Sequence, residues 1–537
     1  GFTEYTRLLK SDTIYVVDLS STSLVAALEM ANAIQESGDG EFAHPVFKKS
    51  IDLRRIPNDQ DFDAQWHLLN TITTSPFIEG NDLNVVDAWD TVTGAGVNIL
   101  IVDTGVAVAH PDLSPNARTD LDFDYLDNDG DPTPFGSHGT SVAGLAAAKG
   151  DNFLGVAGSA FDASIVGIRL VDANPTDTQI VQALAHLVDE VSVVDQAHVS
   201  SHSWGPSDAS PAIKQELTPA EESVLLGGVT NGRNGKGVIY VWAAGNGRGV
   251  NQNISYGGYA SSRYTIAVGA SGGDGRFSTY SEPGASMLVT APSSFSGSGI
   301  TTTTGSSTYT NGFGGTSASA PMVSGVVALL LEANPNLGWR DVQRILLTTA
   351  TKIDLGNAEW AANGAQRLYN HNYGYGRVNA ASAVSLASTW TSLEPELSPL
   401  TAIGSSVNLA IPDNNPTGVS HALSITTQQL FRVEHVEVTV NITHPSRGDL
   451  AISLTSPQGM RSVFTSVHTD SADDYNNWKF TSVAHWDENP SGNWTLKVND
   501  GIGVDVGTLN GWSLKITGTA VPAVFVPTHT IPFFSEP

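Results

Sequence analysis

The middle of the chain alternates apolar runs with amphipathic stretches, and this alternation predicts its fold class. The apolar runs have the composition of strands that are buried on both faces. They are Val97–Val102, Ile165–Leu170, Val199–Trp204 and Gly237–Trp242. A helical pattern such as Gln179–Val188 lies between them. We therefore predict an α/β domain over residues 51–390, with a mostly parallel sheet covered by helices on both faces.

The pattern changes after residue 390. Segments such as Val436–Ile442 alternate apolar and polar positions and are separated by Gly, Pro and Asn, which is typical of an antiparallel β-sandwich. Thr391–Leu400 contains two prolines and reads as a linker. We predict an all-β domain over residues 391–520 and a tail without a fold of its own at 521–537.

A small α+β segment is predicted at residues 1–50. Thr13–Leu19 has the pattern of a strand, and Leu24–Ile34 has the pattern of an amphipathic helix. Two pairs of basic residues follow, at Lys48-Lys49 and Arg54-Arg55. Each pair fits either a cleavage site or a solvated loop.

Charge and composition exclude several classes of function. The 537 residues include 54 Asp and Glu but only 26 Lys and Arg, which gives a net charge of −28. Phosphate backbones are bound by clustered Lys and Arg, so nucleic acid is not an expected partner. The chain has no cysteine, so disulfides are excluded. No apolar run reaches the length that we would assign to a membrane span.

The stretch Gly315–Pro321 is the strongest candidate for chemistry. Ser317 stands among small residues at the predicted start of an apolar helix, where the positive end of the helix favours developing negative charge. A serine in such a loop is also an ordinary turn residue, so Ser317 needs further support. A nucleophilic serine requires a base and a carboxylate that orients the base.

Three other polar residues supply that support. Asp103 ends a predicted strand, His138 opens a small-residue helix, and Asn246 follows another strand between two glycines. Taken singly, they also fit a helix cap, a structural histidine and a turn asparagine. Taken together, the order Asp103, His138, Ser317 is the order of the subtilisin triad. The Asn246 amide could donate a hydrogen bond to an oxyanion.

The local sequences resemble the kexin and furin branch of the subtilisin-like serine proteases over residues 56–520. Ser201–Pro206, Thr230–Gly237 and Leu331–Leu337 look like that branch. His444–Leu450 and Gly507–Trp512 resemble its P domain. The resemblance implies a subtilisin-like fold and an endopeptidase in which Asp103 orients the base, His138 is the base, Ser317 attacks and Asn246 binds the oxyanion.

The resemblance also implies Ca²⁺ as a cofactor, bound by oxygen ligands at three places. The expected ligands are Asp124, Asp129 and Asp131 in one loop, Asp59, Asp112 and Asn152 at a second place, and Asp208 with Glu282 near the specificity pocket. Acidic surface loops are the alternative for each place. Bound ions would supply the cross-links that a chain without cysteine lacks.

The same resemblance implies a substrate pocket and a preference. The expected pocket residues are Ser203, Trp204, Gly205, Asp208 and Tyr259. Other acids of the branch are missing, because the corresponding positions are Thr104, Phe135, Lys214 and Gly257. We expect cleavage after Arg or Lys, with looser demands at the preceding residues.

Partners and location follow from the resemblance. Residues 1–50 would be a pro-segment that assists folding and inhibits the site, and Glu41–Phe47 resembles its closing strand. We expect protein or peptide substrates as the other partners and leave a dedicated chaperone or inhibitor open. The absence of cysteines favours a bacterial enzyme that is secreted or periplasmic.

Two other functions compete with the protease. The first is a non-catalytic calcium-binding or adhesive protein on a vestigial protease scaffold, which the intact Asp103, His138, Ser317 and Asn246 disfavour. The second is a lipase or esterase, whose Gly-x-Ser-x-Gly elbow fails here because Ser319 stands at the second glycine.

Overall fold

A computed structural model describes most of the chain. The described residues are 5–7, 15–17, 31–36, 56–208 and 214–520. The chain divides into two compact units, Gly1–Arg54 and Arg55–Pro537.

The first unit contains a small hairpin. Strand β1 (Tyr5–Arg7) pairs antiparallel with β2 (Tyr15–Val17), and residues 31–36 are helical (α1). β2 lies within the predicted strand Thr13–Leu19, and α1 overlaps the end of the predicted helix. The predicted closing strand and both pairs of basic residues lie outside the described residues, as does the tail at 521–537.

The second unit begins with a seven-stranded sheet in which all neighbouring strands are parallel. Its strands are β3 (Asn98–Asp103), β4 (Phe123–Asp124), β5 (Ser164–Arg169), β6 (Val199–His202), β7 (Ile239–Ala243), β8 (Thr265–Ser271) and β9 (Met287–Pro292). The strand order across the sheet is β4-β5-β3-β6-β7-β8-β9.

Helices cover both faces of this sheet. They are α2 (His138–Ala147), α3 (Asp177–Leu184), α4 (Pro219–Gly235, with non-helical dihedrals at 232–234), α5 (Thr316–Ala333), α6 (Trp339–Thr349) and α7 (Ala380–Ser388). In β3, Ile99 and Ile101 join the core that contains α2 and α5, while Leu100 and Val102 join the core that contains α3 and α4. Because successive side chains point to opposite faces, a strand covered on both sides is apolar throughout. The predicted α/β class is thereby confirmed.

Helix α5 corrects one expectation about apolar length. It has 18 residues with a mean hydropathy of 1.4, so by length and composition it could cross a membrane, contrary to the prediction that no segment could. However, 89% of that window is buried inside the protein. The helix lies against strands β6 to β9 and helix α2, which is the position of a core helix.

An all-β region follows the parallel sheet. Before it come the hairpin of β10 (Ile300–Thr304) and β11 (Thr308–Phe313) and the short pair β12 (Ala361–Ala362) and β13 (Leu368–Tyr369). Its strands are β14 (Leu400–Gly404), β15 (Leu409–Ile411), β16 (Asn415–Ile425), β17 (Phe431–Thr443), β18 (Leu450–Thr455), β19 (Arg461–Thr465), β20 (Tyr475–Ser482), β21 (Gly492–Asp500) and β22 (Gly507–Ala520). They form a five-stranded and a four-stranded antiparallel sheet that enclose a separate apolar core, so the predicted sandwich is confirmed.

The sandwich contacts the α/β domain through apolar residues such as Trp486 and through charged groups. Ion pairs cross the boundary, and most place the cation on the α/β side. The pairs are Lys214–Asp470, Arg263–Glu396, Arg340–Glu434, Arg344–Asp487, Arg367–Asp487 and Lys479–Glu222. Short 3-10 turns complete the fold at Phe62–Ala64, Gly247–Val250, Ile254–Tyr256 and Arg447–Asp449.

Candidate active site

Asp103 and His138 form a hydrogen-bonded acid–base pair at the carboxyl edge of the sheet. Nδ1 of His138 lies 2.7 Å from Oδ1 of Asp103, and the Thr104 backbone N–H donates to the same oxygen (2.8 Å). Asp103 is fully buried, while 37% of the His138 side chain is exposed. Burial lowers the pKa of His138 and the neighbouring carboxylate raises it, and the net result is a raised pKa. The pair thus fixes the imidazole with Nε2 free to act as a base.

Two glycines allow this close approach. Gly139 follows His138 in the first turn of α2, and a Cβ there would lie 2.2 Å from the Gly105 carbonyl oxygen and 3.0 Å from the Asp103 Cβ. Gly105 has φ +91°, which favours glycine. The small residues around the predicted base therefore serve the contact between α2 and the end of β3.

Ser317 lies in the first turn of α5. Pro321 lacks an N–H, so the Ser317 carbonyl has no helical partner and accepts the Ser203 hydroxyl instead (3.1 Å). The Ser317 hydroxyl in turn donates to the Ser203 carbonyl (3.2 Å). It has to leave that carbonyl before it can donate to His138, and such bonds often tighten only when substrate is bound.

Asn246 caps the helix that carries Ser317. Its side-chain oxygen accepts the Thr316 backbone N–H (2.8 Å) and the Thr316 hydroxyl (3.1 Å). Gly315, at φ +75°, makes the turn into the helix. Because the oxygen of the amide is occupied, the half-buried NH₂ group is the part left to donate.

The predicted pocket residues surround one cavity of about 290 Å³. The five residues expected from the sequence all line it, together with Ser317 and Asn246; they are Ser203, Trp204, Gly205, Asp208 and Tyr259. Its aromatic wall is rigid: Tyr259 stacks on Trp242 with ring centroids 4.7 Å apart, and the Trp204 indole donates to the Val102 carbonyl (2.8 Å). The structure thus brings the candidate nucleophile, oxyanion donor and specificity residues together.

Asp208 and Glu282 lie in the same cavity and share a hydrogen bond. Asp208 also accepts the Asn246 backbone N–H (3.0 Å), and Glu282 accepts that of Gly247 (2.9 Å). Burial and then the Asp208 charge raise the pKa of Glu282 to about 8. Two carboxyl groups this close share a proton unless a cation separates them, so their chemistry fits either a proton or Ca²⁺.

Asp59, Asp112 and Asn152 also come together, from three distant segments. The Asn152 amide donates to Asp112 (2.7 Å), and Asp59 accepts the backbone N–H of Asp151 (2.9 Å). One Asp59 oxygen is buried without a hydrogen-bond partner, and burial raises the pKa of Asp59 to about 6, with the Asp112 charge adding to the shift. An orphaned carboxylate oxygen beside another carboxylate fits an oxygen-bound Ca²⁺.

The loop with Asp124, Asp129 and Asp131 is arranged differently. Asp124 is buried and pairs with Arg169, whereas Asp129 and Asp131 are exposed and accept local backbone N–H groups (2.9 and 3.1 Å). The Arg169 guanidinium thus pairs with Asp124, one of the three acids that were expected to bind Ca²⁺ in this loop. In the described part of the chain, no cluster of three or more acidic or histidine side chains suits a metal, so amide or carbonyl oxygens would have to complete any site.

Sequence reasoning did not identify two residues that matter here. Arg169 ends β5 three residues before Asp172, and this short spacing was a signal for the ion pair with Asp172 but not for the one with Asp124. Tyr256 lines the cavity beside Gly257. No local pattern marks it, because its partners come from the sandwich.

The comparisons with known proteins define the class. Residues 94–376 match the Subtilase family, and residues 433–516 match the Proprotein convertase P-domain. The chain therefore belongs to the subtilase family, and the resemblance to its kexin and furin branch is confirmed.

Named relatives belong to the furin and kexin group. Furin-1 of Xenopus laevis is 36% identical over 492 residues, which are 88% of this chain and 60% of that protein. Protease KEX1 of Kluyveromyces lactis is 34% identical over 477 residues, 87% of this chain and 61% of that protein. The chain thus spans about three fifths of these relatives. A serine protease of Aeromonas sobria, solved with a chaperone, has a TM-score of 0.77 at 25% identity, covering 87% of this chain and 96% of its own.

Proposed function

We propose that the chain is a serine endopeptidase of the kexin type, which hydrolyses peptide bonds through an acyl-enzyme. The hydrogen bond between His138 and the buried Asp103 carries the proposal, because it fixes the tautomer and the orientation of the imidazole that would act as the base. Ser317 and Asn246 support it, since both line the cavity that would hold the substrate side chain.

The residues suggest a sequence of steps. Nε2 of His138 takes the proton of the Ser317 hydroxyl as its oxygen attacks the peptide carbonyl, and then gives that proton to the leaving amine. Water, deprotonated by His138, releases the acyl group. The NH₂ group of Asn246 donates to the oxyanion, a contact typically worth about 2.7–4 kcal/mol in the transition state.

Covalent labelling of purified protein with a fluorophosphonate tests this proposal. Wild type should be labelled at Ser317, and Ser317→Ala should lose both labelling and peptide cleavage. Ser319→Ala is the matched control, because Ser319 lies in the same helix but its hydroxyl donates to the Ala291 and Pro292 carbonyls of β9 (3.1 and 3.2 Å). Unlabelled, folded wild type would instead favour the non-catalytic binding protein.

The adhesive alternative has little support. Its motif would be the tripeptide Arg447-Gly448-Asp449, which forms a 3-10 turn in which Gly448 is buried. Arg447 is committed to an ion pair with Asp470 (2.8 Å). The Arg447 charge is therefore not free to bind a partner protein.

For the substrate we propose Arg or Lys before the cleaved bond. Asp208 brings a carboxylate to the cavity, and a basic side chain would lie against it. Thr104, Phe135 and Gly257 bring no acid to the neighbouring positions, so we propose looser demands upstream. A peptide library tests this: cleavage mainly after large apolar residues would contradict the assignment.

We propose Ca²⁺ as a stabilising ion at Asp59, Asp112 and Asn152, and between Asp208 and Glu282. An ion bound at either place would offset the repulsion between the neighbouring carboxylates. The residues Asp124, Asp129 and Asp131 remain a prediction from family resemblance, and the Arg169 ion pair argues against them.

Processing and export complete the proposal. Residues 1–50 would act as a pro-segment, and the enzyme would be secreted or periplasmic. The structural relative from Aeromonas sobria was solved with a chaperone, which keeps a dedicated chaperone open as a partner here. N-terminal sequencing of the mature protein would locate the cleavage and decide between Lys48-Lys49 and Arg54-Arg55.

A further inference from the structure

The cavity wall at Tyr256 is built partly by the sandwich domain. Tyr256 lines the cavity that also contains Ser317 and Asp208, and it is 2% exposed. Its hydroxyl donates to Thr465 (3.2 Å), and its ring stacks on His468 with centroids 4.7 Å apart. Both partners belong to the part of the chain that matches the P-domain family.

Lys214 also contacts the Tyr256 ring, beside His468. The Lys214 ammonium lies 4.4 Å from the centroid of Tyr256, donates to Nε2 of His468 (2.8 Å) and pairs with Asp470. Both members of the ion pair are fully buried, and Arg447 also bonds Asp470 (2.8 Å). A buried cation between a ring and a carboxylate has few alternative positions, so it fixes the ring.

His468 can make all these contacts at once only in one neutral tautomer. Its Nδ1 lies 2.6 Å from the Ser466 carbonyl, so Nδ1–H donates there and Nε2 accepts from Lys214. Burial and then the Lys214 charge lower the pKa of His468 to about 4, which is consistent with a neutral ring. The arrangement is thus satisfied at neutral pH without a rearrangement.

Backbone bonds transmit this fixation to the pocket. The Gln215 N–H donates to the Tyr256 carbonyl (3.0 Å), and the Gly258 N–H donates to the Gln215 carbonyl (2.7 Å). The segment next to Lys214 therefore pairs with the segment that forms the cavity wall, including Gly257.

We propose that His468 and Asp470 of the sandwich domain are positioning residues for substrate binding, which act, together with Lys214, by holding Tyr256 at the wall of the specificity cavity. The sandwich would then set how well a basic side chain fits, in addition to its structural role. This inference rests on the proposed protease function.

The test measures KM and kcat of the full chain with a peptide that carries Arg before the cleaved bond, together with the rate of fluorophosphonate labelling. His468→Ala keeps the Lys214–Asp470 pair but removes the stacked ring, and Tyr256→Phe removes only the hydroxyl. Each should raise KM about 10- to 100-fold, the size of effect that a small misplacement causes. For His468→Ala, kcat and labelling should stay within about twofold of wild type.

Glu434→Gln is the matched control, because it breaks another buried interdomain pair, with Arg340, outside the residues that line the cavity. It should lower the melting temperature while KM stays unchanged. Unchanged KM in folded His468→Ala and Tyr256→Phe would overturn the inference, and so would an equal rise of KM in Glu434→Gln. Failure of wild type to label would instead refute the protease proposal itself.

Discussion

At the scale of single residues, the site depends on groups with two tasks. Asn246 uses its oxygen to cap α5, which leaves its NH₂ group for the proposed contact with the oxyanion, while Pro321 frees the Ser317 carbonyl for Ser203. The orientation of the candidate nucleophile therefore comes largely from backbone contacts at the start of α5. A change at Asn246 should reduce transition-state stabilisation and also loosen the start of the helix.

Asp103→Asn tests the orientation of the base. Without the carboxylate the imidazole adopts the wrong tautomer, and kcat should fall about 10⁴-fold, as in other triads. The base must be neutral to act, so activity rises as pH rises through its pKa, which the Asp103 carboxylate raises above its ordinary value. In the variant, burial still lowers the pKa of His138 but no carboxylate raises it. The acid limb of the pH–rate profile should therefore move to lower pH. A pH–rate profile of kcat/KM checks this, and an unmoved limb would contradict the assigned base.

The sequence predicted the candidate catalytic residues better than it predicted the contacts that position them. Asp103 and His138 were recognisable because a buried strand ends at one and a small-residue helix begins at the other. The bond from Thr316 to Asn246 spans 70 positions and that from Ser317 to Ser203 spans 114, so neither follows from local pattern. The ion pair of Arg169 with Asp124 escaped prediction for the same reason.

At the scale of elements, the packing of α2 on the end of β3 sets the position of the base. The repeat of small residues in α2 predicted a helix, and the structure shows why they are small: a Cβ on Gly144 would lie 2.2 Å from the hydroxyl of Thr303 in β10. The alternation of β3 between two cores was likewise predictable. The partner of α2 was not, since β10 lies more than 150 residues further along the chain.

Gly139→Ala tests this packing. The added methyl group would collide with the Gly105 carbonyl, so we expect α2 to move, kcat to fall by one to two orders of magnitude, and the melting temperature to fall as well. Gly136→Ala is the matched control, because nothing lies within 4 Å of its Cβ position. Equal activity of the two variants, measured with the same peptide, would show that the contact is not needed.

At the scale of the whole molecule, buried charges join the sandwich to the α/β domain. Glu434 is 1% exposed and binds Arg340 through both oxygens (2.5 and 2.6 Å). Removing the sandwich would take away the acidic partners of these cations and expose the apolar surface that packs against Trp486. The α/β domain should therefore not fold well alone, even though its own core was predictable from the apolar pattern.

Denaturant unfolding of Glu434→Gln measures this dependence. Breaking one partner of a buried pair typically costs about 3–5 kcal/mol, so the free energy of unfolding should fall by that order. Asp120→Asn is the control, because its pair with Arg118 is exposed and should contribute less than about 1 kcal/mol. Equal losses would show that the interdomain pair has no special role.

Chelation tests the proposed calcium at the same scale. A ligand that binds only the folded state at 100 times its Kd adds about 2.7 kcal/mol, so removing it should lower the melting temperature by several degrees. Asp59→Asn should reduce the chelator effect by the share of that one site, whereas Asp63→Asn, which changes a nearby exposed acid, should not. An identical melting temperature with and without chelator would count against a structural ion.

The cap that Asn246 places on α5 makes the oxyanion site visible to hydrogen exchange. The Thr316 amide is protected by a side chain from another loop, 70 positions away, rather than by its own helix. Its exchange rate with deuterium therefore reports how often this loop opens, even in a protein with no substrate bound. Slow exchange at Thr316 would mean that the site is assembled in the resting enzyme, and a peptide-resolved deuterium measurement on the inactive Ser317→Ala variant could follow it without self-digestion.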